Sequence, residues 1–178
     1  MKYTTLYHLI FLVKIKFIMK VGIIGNNLTC LALAKALVNQ EIFVDIFYKD
    51  KKITVDRTRT IGISKSNIDY FNKNISDIKK ISWPIKKIKI YSENFNNKEI
   101  IKFENKGDNL FSIVENYKIF NQLNNELKNN KFFKYKNAIS CKDLNNIDCD
   151  LLINCDQEHE ITKKFFLKKF EKKYESIA

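Results

Sequence analysis

The chain has 178 residues, 45% of them hydrophobic, and a formal net charge of +12 from 32 Lys plus Arg against 20 Asp plus Glu. That length supports one domain with a real core and excludes two large ones, and the apolar content excludes wholesale disorder. The basic balance admits nucleic acid or an anionic membrane as partner, but the charge is almost all Lys, scattered among Asn and Ile, which argues against a built nucleic-acid patch.

Tyr3 to Met19 is mostly apolar, through Leu9-Ile10-Phe11-Leu12-Val13. Lys14 and Lys16 interrupt it, so it is too short and too charged for a clean membrane span, and it lacks the small-residue cleavage site of a signal peptide. Met19-Lys20 directly before a strand is a natural start. Residues 1–18 are therefore expected to be an extension outside the domain, and a weak membrane-surface anchor is the alternative. Residues 19–178 are expected to form one domain, cytoplasmic, with peripheral association at the inner face of a membrane as the variant of that reading.

Lys20 to Ile24 is a short apolar run, as in a buried strand. Gly25 to Asn27 is turn chemistry. Leu28 to Asn39 places Leu31, Ala32, Ala34, Leu37 and Val38 at helical spacing, with small residues that permit close packing on a sheet. Ile42 to Tyr48 is a second strand. Strand, tight turn, helix and strand make a right-handed βαβ crossover with parallel strands. Lys51 to Arg59 reads as a polar loop and Ser66 to Asn74 as a short helix. Ile85 to Tyr91 alternates Ile and Lys, a half-exposed strand that Ile100 to Phe103 could pair across the Glu93 to Lys98 turn. Asn116 to Leu127 has Ile119, Leu123 and Leu127 on one helical face. Phe132 to Ile139 and Asp150 to Ile153 are further strands, and a Lys-rich tail follows Asp156.

The first turn is where chemistry could sit. A dinucleotide loop brings backbone close to a pyrophosphate, and the following helix N-terminus supplies N–H groups and a positive dipole. Three glycines usually make this possible. In Gly25-Asn26-Asn27-Leu28-Thr29-Cys30 only the first remains. Asn27 takes the second place, tolerating left-handed angles but adding bulk, and the small Cys30 takes the third. The alternative is a plain βαβ turn without a ligand. A carboxylate binding the ribose hydroxyls is expected at Tyr48, which cannot accept bidentately. Asp50 lies two residues on and could reach instead, or be a solvated loop charge; Asp45 points from mid-strand. Cys30, Cys141, Cys149 and Cys155 contain no CxxC pair, and His8 and His159 lack ligand spacing to one. Free thiols and no metal site are the expectation.

Four stretches in order carry a family resemblance: Val21 to Leu37; Arg59-Thr60-Ile61-Gly62-Ile63-Ser64; Trp83-Pro84-Ile85-Lys86-Lys87-Ile88-Lys89-Ile90; and Asp150-Leu151-Leu152-Ile153-Asn154-Cys155-Asp156. Together they resemble the FAD-dependent aromatic-ring hydroxylases of ubiquinone biosynthesis, relatives of para-hydroxybenzoate hydroxylase. The resemblance implies an α/β fold: a Rossmann-like FAD-binding βαβ domain with a partial β-sheet substrate-domain insertion. It implies FAD as cofactor, NAD(P)H as co-substrate, a polyprenylated phenol as the hydroxylated substrate, and other ubiquinone-biosynthesis proteins as partners.

By that resemblance Gly25, Asn26, Asn27, Leu28 and Thr29 line the FAD pyrophosphate and ADP-ribose. Arg59 approaches the cofactor from its loop; the alternative is a surface charge. Asn116 stands where the family often has an arginine. Asp156 matches the Asp of an Asp-Gly motif that serves flavin and NAD(P)H, or else caps the strand end. Its glycine partner is Gln157 here, and the family's later arginine is Lys163. The resemblance stops before the family's later Gly-Asp segment. The expectation is thus the N-terminal part of a flavin monooxygenase, with a partner chain or downstream frame supplying the rest. A non-catalytic nucleotide-binding or protein-interaction module is the alternative, and a nucleic-acid binder ranks last.

Overall fold

Lys20–Ile24 forms strand β1, and four of its five residues are buried, so an uninterrupted apolar run suits it. The computed structural model describes residues 19–48, 56–93, 98–105 and 107–165. Helix α1 (Leu28–Val38) follows the turn and leads into β2 (Phe43–Tyr48), which pairs with β1 in parallel. Two later strands join them: β8 (Phe133–Asn137) beside β2 and β9 (Leu151–Asn154) beside β1, both parallel. The order β8-β2-β1-β9 puts β1 where the chain changes direction across the sheet. In open parallel sheets that is where ligands bind, outside the carboxyl ends of the strands.

The intervening chain makes β3 (Thr60–Ser64), helix α2 (Lys65–Asn74), β4 (Ser82–Ile85), β5 (Lys87–Ser92), β6 (Lys98–Glu104), β7 (Phe111–Glu115) and helix α3 (Asn116–Lys128). Strands β3, β7 and β4 form a separate antiparallel sheet in that order. Pro84, which cannot donate to a ladder, sits on its edge strand β4. β5 and β6 form a two-stranded hairpin, as the alternation of Ile and Lys predicts. Two features of this intervening stretch differ from the sequence reading, as does the helix Glu160–Phe165 in what reads as a Lys-rich tail. The single strand expected over 85–91 divides at Lys86, one part serving the three-stranded sheet and the other the hairpin. β3 and β7, read as no element, are strands because they pair with each other and with β4.

α1 and α3 pack together on one side of the parallel sheet. Leu31 and Ala34 of α1 and Ile119, Leu123 and Leu127 of α3 are fully or almost fully buried in one core with Val21, Ile23, Val44 and Ile46. Each such Leu, Ile or Val side chain contributes about 1.5–3 kcal/mol by leaving water. Lys35 of α1 pairs with Glu126 of α3 at 3.3 Å. α1 leads from β1 into β2 and α3 leads into β8, and these strands are parallel, so both helices run from the carboxyl end of the sheet toward its other end. A last short helix, α4 (Glu160–Phe165), follows β9. Among the described residues no helix is long and apolar enough to cross a membrane.

Candidate functional site

The turn after β1 depends on Gly25 for two reasons. Its φ is +114°, a region side chains rarely adopt, and a Cβ there would lie 3.1 Å from Cys30 Sγ and 3.3 Å from Asp156 Cβ. The Gly25 N–H donates to the Phe47 carbonyl at 3.0 Å, which ties the turn to the end of β2. Asn27 then caps α1: its Oδ1 accepts from the Cys30 N–H at 3.0 Å. Its Nδ2 donates to the Cys155 carbonyl at 2.9 Å, so one side chain joins the helix start to the end of β9. Leu28 and Thr29 occupy the first two helical positions, whose N–H groups have no partner inside a helix. Cys30 is buried, and burial pushes its thiol up to about 12, which leaves it protonated and unreactive at neutral pH.

Asp156 follows β9 and stands against Gly25. Its carboxylate accepts from the Glu158 N–H at 3.0 Å and its carbonyl from the Thr162 hydroxyl at 2.7 Å. Two clefts flank this point and share Asp156 and Glu158. The first, of about 780 Å³, runs from Gly25 and Asn26 past Tyr48 to Ile139, Ser140 and His159. The second, of about 730 Å³, is bounded by Asn27, Thr29, Cys155 and Gln157. In the first, Asn26 Oδ1 is buried with no hydrogen-bond partner.

The expected ribose position is occupied by Tyr48, the last residue of β2, whose ring meets Tyr135 edge-to-face at 4.9 Å. Asp45 does not compensate: it is buried and pairs with Lys20 at 3.3 Å, at the start of β1 and away from Gly25. Asp50 lies outside the described residues, as do residues 1–18. Arg59 and Asn116 are brought together, the Asn116 N–H donating to the Arg59 carbonyl at 3.0 Å. The Arg59 side chain is exposed. Asn116 opens α3, and its Oδ1 is buried without a partner at the end of the sheet that carries the Gly25 turn. Gln157 borders the second cleft, and Lys163 pairs with Glu158 at 3.8 Å.

The sequence reading did not reach the wall formed by Ile139, Ser140, Asp143 and His159. His159 Nε2 lies 3.1 Å from the Ile139 carbonyl, and its Nδ1 accepts from the Ile161 N–H at 3.3 Å, so the ring joins the segment after β8 to the start of α4. These residues come from two segments about 20 positions apart. No local spacing announces them. Cys30, Cys141, Cys149 and Cys155 are free thiols.

A parallel sheet with a glycine turn, a capped helix and clefts at the strand ends defines an α/β fold of the Rossmann-like dinucleotide-binding type. It is the fold of FAD-dependent monooxygenase domains. The chain is similar to p-nitrophenol 4-monooxygenase PnpA from Pseudomonas putida DLL-E4, with a TM-score of 0.54 and 12% identity over 67% of this chain and 32% of that one. It is similar to PqsL of Pseudomonas aeruginosa, a probable FAD-dependent monooxygenase, with a TM-score of 0.54 and 10% identity over 67% and 32% of the two chains. Klebsiella pneumoniae HpxO, solved with FAD and uric acid, matches with a TM-score of 0.51 and 15% identity over 66% and 30%. The chain thus spans about a third of the length of these structures. No protein-family model and no curated protein sequence matches it.

Proposed function

We propose that this chain binds the adenine-nucleotide half of FAD and forms the FAD-binding part of a flavin monooxygenase. One observation carries the reading: the Gly25 turn delivers the N-terminus of α1 into the crevice beside β9, against Asp156. The residues fit a pyrophosphate there in part. The Leu28 and Thr29 N–H groups and the helix dipole suit an anion, and the Thr29 side chain is exposed beside them. The ribose end fits less well, because Tyr48 replaces the carboxylate.

The redox chemistry of aromatic hydroxylation is supplied by the flavin when bound. This chain's part is to hold and orient the nucleotide, with Asn26 and Asp156 on either side of the turn and Arg59 and Asn116 at the start of α3. The family resemblance carries the finer proposals: a polyprenylated phenol of ubiquinone biosynthesis as substrate, NAD(P)H as reductant, and association with other proteins of that pathway, at the inner face of a membrane.

Titration of the protein with FAD, followed by calorimetry and by flavin fluorescence, tests this. Saturable binding that ADP competes away is expected. No heat and no fluorescence change, alongside a cooperative melt, would overturn it. The departures at Asn27 and Tyr48 favour a second reading in that event: a nucleotide-binding scaffold retained as a protein-interaction module.

A further inference from the structure

The second position of the dinucleotide loop, where glycine leaves a helix N-terminus bare, holds Asn27. The residue is exposed, yet both ends of its side chain are held by the protein. The carboxamide oxygen takes the Cys30 N–H at 3.0 Å and the amide nitrogen reaches the Cys155 carbonyl at 2.9 Å, across 128 residues of chain. The N–H it takes belongs to the third helical position, one of the donors that a helix otherwise offers an anion. The carbonyl it takes stands at the end of β9, the other wall of the crevice. Cys155 is held there a second time, its N–H donating to the Ile24 carbonyl at 3.0 Å.

We infer that Asn27 is a built-in latch on the nucleotide site, a side chain that mimics the ligand's contacts at the start of α1 and must be displaced for a pyrophosphate to seat closely. The inference rests on the reading that a nucleotide pyrophosphate occupies this helix start. Binding then exchanges two internal hydrogen bonds for bonds to phosphate, so the net gain is smaller than at a bare glycine turn. The latch also does structural work in the free protein, because it satisfies a helix donor and clips β9 to α1. Asn27 therefore sets affinity by what it already holds. The flavin ring, bound elsewhere, does not enter this exchange.

The test compares the wild-type chain with Asn27→Gly and Asn27→Ser, binding FAD and, separately, ADP. Glycine removes both arms. Serine keeps an acceptor for the Cys30 N–H but has no amide to reach Cys155. Asn27→Gly should tighten both ligands by about tenfold, roughly the worth of one net hydrogen bond, and by equal factors because the change lies at the phosphates. Asn27→Ser should fall between. Amide exchange at Cys30, read without ligand, should speed up in Asn27→Gly and slow again when ADP is added. Wild-type and glycine variants that bind FAD equally would overturn the latch while leaving the proposed function standing. Binding by neither, with both melting cooperatively, would overturn the proposed function and the latch with it. If Asn27→Gly does not fold, the serine variant decides alone: affinity unchanged from wild type overturns the latch.

Discussion

The parallel sheet and the β5–β6 hairpin are built from similar residues, Ile, Phe and Lys in short runs, and end in opposite states. In β1 and β2 successive residues are buried, Asp45 of β2 among them, with Ile23 and Ile46 wholly buried. In the hairpin they alternate with Lys and Glu. Ile88 and Ile90 face the same side as Phe103 and Ile101, and Ile90, Ile101 and Phe103 are 43%, 44% and 49% exposed. Lys89–Glu99 and Lys102–Glu104 ion pairs decorate the hairpin. A parallel pair needs a covering crossover helix and so acquires a core by construction, whereas a hairpin closes through its own turn and needs no cover to form its ladder. The buried core and the proposed nucleotide site therefore lie together in the parallel unit.

Four measurements can break or sharpen that contrast. The largest effect is expected from Leu123→Ala, which empties a fully buried position between α3 and the sheet and should cost about 2–5 kcal/mol in urea unfolding. A loss below that range would mean the helix is less essential to the core than its burial indicates. Next, Gly25→Ala forces a Cβ toward Cys30 and Asp156 at a positive φ. It should cost about 1–3 kcal/mol and abolish nucleotide binding. Binding that survives would remove the turn from the site.

The third concerns alkaline pH. The Cys30 thiol is raised by burial to about 12, so between the ordinary thiol range and that value the unfolded chain releases a proton that the folded chain keeps. Stability from this group is complete below the ordinary thiol range and is lost as pH rises through that window. A stability–pH curve of Cys30→Ala should fall less steeply there than wild type. Parallel curves would exclude Cys30 as the cause. The smallest effect belongs to the hairpin: Ile90→Thr should change stability by no more than about 0.5 kcal/mol, as at other exposed sites. A larger loss would show that the ribbon's apolar side is covered.

The βαβ unit from Lys20 to Tyr48 was legible because every signal in it is local. An apolar run, a glycine, small residues at helical spacing and a second run lie within 29 positions, and the pairing of Phe43–Tyr48 with β1 follows from the crossover rule. α3 was legible for the same reason: Ile119, Leu123 and Leu127 repeat on one face. β3 and β7 were not. Thr60–Ser64 is mostly exposed and carries little pattern, and it is a strand because Phe111–Glu115 pairs with it about 50 residues later. The division at Lys86 was hidden for a related reason, since the Ile–Lys alternation is continuous while its two halves find different partners.

At the site the same boundary holds. The sequence by itself determined that Gly25 would open a tight turn between strand and helix, that Tyr48 would close the second strand, and that Asn27, bulkier than glycine, would end the turn. Only the tertiary structure decided what Asn27 does with that bulk, because its second partner, Cys155, is 128 residues away. It also decided that Asp45 is spent on Lys20 and that His159 closes a cleft with Ile139. Periodicity and turn chemistry act over a few residues and can be read along the chain. Hydrogen bonds between strand ends depend on the order β8-β2-β1-β9, which exists only once the sheet has formed.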